Sequence, residues 1–427
     1  MLDLNAIRAD QAAVEAALKK RMDNVDLSGL LARDTERRAV ITEVEELKAR
    51  RNQVSGDIPK LKKEGKDVEP LLAEMKDVSS RVKELDARLR ALDEQIKSEL
   101  AALPNLPAED VPAGGKESNV HLRSWGEKRS FDFTPKDHVD LATSLGLIDY
   151  ERGVKMGGNG FWLYRGLGSR IEWALLNYFI DTHLADGYEF ILPPHLLTYQ
   201  CGFTAGQFPK FEDDVFHIKG DDDRPSQFIL PTAETALINF HRDEILDESE
   251  LPKKYFAYTP CYRKEAGSYR AQERGMIRGH QFNKIEMFQF TTPEHSNAAL
   301  DELVAKAEAL VAGLGLTYQL SLLAAKDASA SMAKTYDIEV WIPSMNEFKE
   351  VSSASSAGDY QARRGNIRFR REGSKKPEFL HSLNASGLAT SRVLPAIIEQ
   401  GQQADGSVIL PEPIATRLGT ERIVPQE

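Results

Sequence analysis

The sequence predicts an α+β chain: a long antiparallel pair of helices, then a domain built on a largely antiparallel β-sheet with flanking helices. Three observations carry this reading. Apolar residues recur at alternating four- and three-residue steps through two runs in the first quarter. A stretch bearing Pro and Gly follows them. Beyond it, short aromatic and β-branched runs alternate with longer helical patterns, bounded by Gly and Pro.

The first run is Val40, Val44, Leu47, Arg51, Val54, Ile58 and Leu61, and the second is Leu71, Met75, Val78, Val82, Leu85, Leu89, Leu92 and Ile96. Heptad spacing of this kind lays one apolar seam along each helix. Glu64-Gly65-Lys66-Asp67, with Pro59 and Pro70 beside it, reads as the reversal between them. Two helices joined by a short reversal pack antiparallel, giving a coiled-coil arm. Pro59 lies inside the first run, so the helix is expected to kink or to end its regular part there. Arg37, Arg38, Arg50, Arg51, Lys60, Lys62, Lys63 and Lys66 cluster on and near the first helix, where they could follow a phosphate backbone. Glu43, Glu45 and Glu46 interrupt them, so a solvated mixed-charge rod or spacer is the alternative.

The helical domain is placed at 1–103 and a linker at 104–119, from Pro104-Asn105-Leu106-Pro107 through Gly114-Gly115. The sheet domain then covers 120–427. Its expected strands include Tyr188–Leu192, Lys254–Tyr258 and Ile338–Ile342. A helix is expected from Ser169 to about Leu184, with Ile171, Leu175, Phe179 and Leu184 on its apolar side and Gly187 as its stop.

Composition narrows the function classes. The 427 residues carry a formal net charge of −11, so any nucleic acid must meet a local basic face. Cys201 and Cys261 stand far apart, and no C-x-x-C pair or H-x-x-x-H spacing occurs, so neither a disulfide framework nor a zinc site is expected. The first residues lack the basic start and apolar core of a secretory signal, and no apolar run approaches a membrane span. A reducing, cytoplasmic setting is the expectation.

Chemistry concentrates after Pro260. The chain reads Pro-Cys-Tyr-Arg-Lys-Glu-Ala-Gly-Ser, and later Arg-Gly-Met-Ile-Arg-Gly-His-Gln-Phe-Asn-Lys-Ile-Glu. Strand alternation would project Arg263 and Glu265 together, and would place His280, Phe282, Lys284 and Glu286 on one face of the returning strand. Buried charge of this density must be paired or must bind something charged.

This hairpin resembles motif 2 of the class II aminoacyl-tRNA synthetases, in its seryl form. The helix, strand and Pro193-Pro194 before it resemble motif 1 (about 169–194). Asn384-Ala385-Ser386-Gly387-Leu388-Ala389-Thr390-Ser391-Arg392 is similar to motif 3 (about 384–402), with motif 2 at about 255–290. Thr232-Ala233-Glu234 and Glu350-Val351-Ser352-Ser353 are similar to signatures of bacterial-type seryl-tRNA synthetases, as are the linker and arm. Each motif is weak alone, but five in the right order are specific.

The resemblance implies serine activation by ATP, with seryl-adenylate and pyrophosphate as products, then transfer to the 3′ end of tRNA(Ser), and also of tRNA(Sec). It implies catalytic roles for Arg263, Glu350 and Arg392. ATP contacts fall to Arg263, Lys264, Glu265, Gly279, Phe282, Glu350, Val351, Ser352, Ser353 and Arg392, with Mg²⁺ on Glu350 and Ser353. Serine contacts fall to Thr232, Ala233, Glu234, Arg263, Glu286 and Ser386. tRNA contacts fall to Arg37, Arg38, Arg50 and Lys60 of the arm, and motif 1 implies a homodimer. Departures occur at the motif 2 loop, where Ala271 takes a usual arginine position and leaves Arg270 and Arg274 as alternatives for the outer phosphates. Two others are Ala354-Ser355-Ser356-Ala357, often cysteine-containing, and Ala385, commonly Gly. A related ligase that loads a carrier protein would lack the arm, and a scaffold with a dead ligase domain would not be expected to keep Arg263, Glu265, Glu286, Glu350 and Arg392.

Overall fold

The structure is a computed structural model, and it describes residues 1–220, 226–265 and 275–425. The chain divides into two compact units, Leu2–Pro104 and Asn105–Glu427, the second joined by Met1.

In the first unit two short helices precede α1 (Ser28–Lys63) and α2 (Glu69–Ala102), which pack along each other. Every position of both predicted seams is buried or half-buried, with Val44, Val54, Val82 and Leu92 among the most enclosed. Pro59 does not end α1, which continues through it to Lys63. The reason is local: Pro59 and Ser55 are both exposed, so the carbonyl that loses its partner faces water, and the chain stays helical to its cap, where Glu64 N–H donates to Lys60.

The second unit is built on an eight-stranded sheet. Its strands are β1 (Val120–Trp125), β2 (Glu189–Ile191), β3 (Lys253–Tyr262), β4 (Gln281–Thr291), β5 (Tyr318–Leu322), β6 (Lys334–Ile342), β7 (Glu347–Gly358) and β8 (His381–Ala389). The order is β1-β5-β6-β7-β8-β4-β3-β2, and every pair is antiparallel except β2 with β3. Helices α3 (Leu167–Ala185), α4 (Ser296–Gly313) and α5 (Thr390–Gly401) join the sheet in one core, which includes Leu303, Val311, Ile285, Met287, Ile338, Val340, Leu383 and Ile397.

Helix α3 stops as the sequence requires. Gly187 takes φ +81, its N–H donates to Leu184, and Tyr188 N–H reaches back to His183. Its apolar side needs one correction. Ile171, Leu175 and Phe179 are fully buried, but four residues on the buried position is His183, while Leu184 is half exposed. The linker also differs from a free tether. Asn105 is buried and donates to the Ser331 and Ala357 carbonyls, and Ala325 and Lys326 N–H groups donate to Pro112 and Gly114. Backbone amides this well satisfied by the sheet domain belong to it.

Candidate active site

Strands β3 and β4 pair in the register Gln281↔Tyr262, Phe282↔Cys261 and Lys284↔Thr259. The chain then leaves the ladder. Arg263 N–H still donates to His280, but Lys264 N–H donates to the Asp214 carbonyl, and Glu265 adopts φ +50. Arg263 and Glu265 therefore lie just beyond the strand and do not share a face by simple alternation. They nonetheless reach the same place. On β4, alternation holds for Phe282, Lys284 and Glu286, whereas His280 precedes the strand and its ring bonds the Arg263 carbonyl at 2.9 Å.

Arg263, Glu265, Lys284 and Glu286 open onto a cavity of about 810 Å³, lined also by Thr232, Glu234, Glu350, Ser353 and Ser386. A narrower slot shares Arg263, Glu265, Arg278, Lys284, Glu350 and Ser386 with it and adds Gly279, Phe282, Val351 and Arg392. A third recess of about 300 Å³ meets the cavity at Glu350 and Ser353 and the slot at Glu350 and Arg392, and carries Asp337 and Glu339.

Polar contacts hold the walls. Lys284 and Glu286 form a buried ion pair, Lys284 donates to Thr232 Oγ1 at 2.8 Å, and Thr232 donates to Glu286 at 3.4 Å. Glu234 accepts from Gln361 at 2.7 Å. Burial, and next the Glu286 charge, push the Glu234 carboxyl up to about 7. The Arg263 guanidinium stands 5.2 Å from the centroid of the Phe282 ring, and its Nε donates to the Pro231 carbonyl. Arg392 donates to the Ile277 and Glu350 carbonyls and pairs with the Glu350 carboxylate at 3.2 Å. Burial opposes ionisation of Glu350, yet the Arg392 and Arg263 charges overcome it and hold its carboxyl below the usual range. Ser353 donates to Asp337 at 2.6 Å, and burial with the nearby Glu350 charge drives the Asp337 carboxyl well up.

Some expected residues sit elsewhere. Ala233 is buried in an apolar cluster behind the cavity. Ser352 is buried with its hydroxyl on the Ser386 carbonyl, so it supports the wall and does not line it. Lys264 does not line the cavity either. Arg270 and Arg274 lie outside the described residues. Arg278, ion-paired with Glu265, and Lys284 both line the cavity, although the sequence reading gave them no role. A cation alternating with Phe and Glu on an otherwise buried strand was the available signal for Lys284. Among the described residues no group of three or more His, Cys, Asp or Glu side chains is gathered for a metal ion. No helix among them is long and apolar enough to cross a membrane.

The four arm cations expected to meet tRNA are engaged within the hairpin: Arg37 with Asp93, Arg38 with Asp34 at 3.3 Å, Arg50 with Glu74 at 3.1 Å, and Lys60 with Asp57 at 3.8 Å.

Residues 215–401, which carry most of the cavity and slot residues, match the family described as tRNA synthetase class II core domain (G, H, P, S and T), which places the chain among the class II aminoacyl-tRNA synthetases. Residues 1–107 match the seryl-tRNA synthetase N-terminal domain. The chain is 62% identical over 425 residues to serine–tRNA ligase 2 of Clostridium acetobutylicum, covering 99% of this chain and 100% of that one. It is 46% identical to the serine–tRNA ligase of Geobacillus kaustophilus, with the same coverage. The crystal structure of the seryl-tRNA synthetase from Pyrococcus horikoshii complexed with ATP superposes at TM-score 0.94, with 34% identity and full coverage of both chains. The chain belongs to the seryl-tRNA synthetases, ATP-dependent ligases that join serine to tRNA.

Proposed function

We propose that the main cavity and its slot are the two halves of one adenylation site, the first holding serine and the second ATP. The single observation that carries this is the position of Arg263, which lines both and sits between the Glu234–Glu286 pair and the Phe282–Arg392 slot. Serine's carboxylate is ionised near neutral pH, so it attacks the α-phosphate without a protein base, and pyrophosphate leaves. The chain's work is positioning and offsetting phosphate charge. Arg263 bridges carboxylate and α-phosphate through its planar fork. Phe282 offers adenine an apolar face, Arg392 closes the slot as a cation, and Glu265 accepts from the adenine amino group. Glu286 accepts from the serine ammonium or hydroxyl. With Thr232, Glu234 and Ser386 it forms a polar pocket that alanine would leave unpaired.

Glu350 and Ser353 fit Mg²⁺: both are oxygen donors on the cavity wall, and the Ser353 proton is committed to Asp337, leaving its lone pairs free. When bound, the ion would neutralise charge on the phosphate oxygens. Few protein ligands are the norm for Mg²⁺ beside a nucleotide.

The Glu234 carboxyl provides the test of the serine half. Below about 7 it holds its proton, so it accepts poorly from serine; above, it is ionised. The KM for serine in ATP–pyrophosphate exchange is expected to fall as pH rises through that value, and Glu234→Gln is expected to flatten the profile. The stability trend runs the other way. The unfolded chain releases this proton in the ordinary carboxylate range, so stability falls from there up to about 7 and levels off above it. A serine KM that ignores pH across this window in the wild type would remove Glu234 from the pocket.

The arm is the proposed tRNA(Ser) contact, with tRNA(Sec) as a further acceptor, in a cytoplasmic setting. Its ion pairs do not oppose this. Arg37, Arg50 and Lys60 make exposed pairs, worth about 0–1 kcal/mol, so phosphates compete for these cations, whereas Arg38 faces the buried Asp34. We also read the motif 1 helix as a dimer surface. Trp173, Leu184 and Leu192 are 53%, 50% and 71% exposed, and a groove of about 600 Å³ runs beside Trp173. Light scattering at micromolar concentration is expected to give twice the chain mass, and a monomer mass would contradict the assignment.

A further inference from the structure

We infer that Glu172, on the motif 1 helix, is a positioning residue that sets the width of the ATP slot from behind. This rests on the slot being the nucleotide half of the site. Glu172 is 3% exposed and never reaches the cavity. One of its oxygens, Oε1, accepts two hydrogen bonds: Asn283 Nδ2 donates at 2.8 Å and Thr390 Oγ1 at 2.6 Å. Thr390 Oγ1 also lies 3.2 Å from the Asn283 carbonyl, and Tyr258 steadies the Asn283 side chain by donating to its Oδ1 at 3.1 Å.

The two donors belong to the two walls of the slot. Asn283 lies between Phe282 and Lys284 on β4, and strand alternation sends those neighbours to the slot while Asn283 faces away. Thr390 opens α5, and Arg392 follows two positions later on its first turn. A single carboxylate oxygen therefore ties the strand carrying Phe282 to the helix carrying Arg392. A third element, α3, supplies it. A buried carboxylate is expensive to keep, and burial raises the Glu172 carboxyl above its usual range. Leu or Met would fill the same space more cheaply if packing were the only need. What an apolar residue cannot do is hold two donors at one point.

The geometry makes a separable prediction. Losing the tether lets Phe282 and Arg392 drift apart, which weakens adenine binding without touching the serine pocket. In ATP–pyrophosphate exchange, normalised by active-site titration, Glu172→Ala is expected to raise the KM for ATP about tenfold and to leave the KM for serine within about twofold. Glu172→Gln keeps an acceptor oxygen in place and is expected to restore the wild-type KM for ATP. Thr390→Val removes one donor at constant shape and is expected to give an intermediate rise, which keeps the test available if Glu172→Ala folds poorly. Phe282→Ala and Arg392→Ala serve as references. If both raise the KM for ATP but Glu172→Ala and Thr390→Val do not, Glu172 is a packing residue and the inference is wrong. If Glu172→Gln fails as badly as Glu172→Ala, the hydrogen-bond tether is wrong. If the references themselves leave the KM for ATP unmoved, the slot is not the nucleotide half and both readings fall together.

Discussion

Arg263→Ala is expected to slow adenylate formation by about two to three orders of magnitude, the usual penalty for losing one preorganised donor to developing charge. The expectation follows from its position. Arg263 leaves the sheet where the β3–β4 ladder ends, with its N–H on the His280 carbonyl and its guanidinium between the two halves of the cavity. Arg278 also lines both halves but is ion-paired with Glu265, and Arg392 lines only the slot of the two and is held to Glu350 and the Ile277 carbonyl. Lys at 263 is expected to recover only part of the rate, because an ammonium cannot engage carboxylate and phosphate through one planar fork. The loss should fall on kcat more than on the KM for either substrate, since the contact strengthens as the α-phosphate is attacked. Single-turnover pyrophosphate release would measure it. A variant with near-normal release would remove Arg263 from the chemistry.

Deleting the hairpin from Arg37 to Leu100 is expected to abolish tRNA charging and to leave serine activation intact. The sheet domain owns the large core and all the cavity residues, so the truncated chain keeps what activation needs. Transfer requires the tRNA to be placed, and the basic face that would place it is gone. Replacing Arg37, Arg38, Arg50 and Lys60 together by Gln should weaken tRNA binding more mildly and flatten its salt dependence, since each lost phosphate contact reduces the slope by about 0.7–0.9. Because these four also pair with Asp34, Asp57, Glu74 and Asp93, arm folding should be checked by circular dichroism in the same variant. Wild-type charging by the truncated enzyme would make the arm a structural rod.

Sequence legibility followed periodicity. The heptad seams fell on buried or half-buried positions because packing between two helices leaves few alternatives. Pro59 does not end its helix, because it stands at an exposed position where water replaces the lost partner. On β4, alternation placed Phe282, Lys284 and Glu286 correctly. It failed for Arg263 and Glu265, because the pull of the Asp214 carbonyl on Lys264 is a long-range contact with no local signature. Glu172 and Asp337 were invisible for the same reason. Each acts through residues distant in sequence, Thr390 and Ser353 among them. Motif resemblance named Glu234 and Glu350, but their opposite protonation tendencies emerged only from their neighbours.

The central claim is that this cavity activates serine with ATP. It is tested most directly by ATP–pyrophosphate exchange with each of the twenty amino acids in turn, with and without tRNA. Exchange that depends on serine, proceeds without tRNA and falls to background with alanine is the predicted result. Exchange driven equally well by another amino acid, or none with serine under any condition, would contradict it.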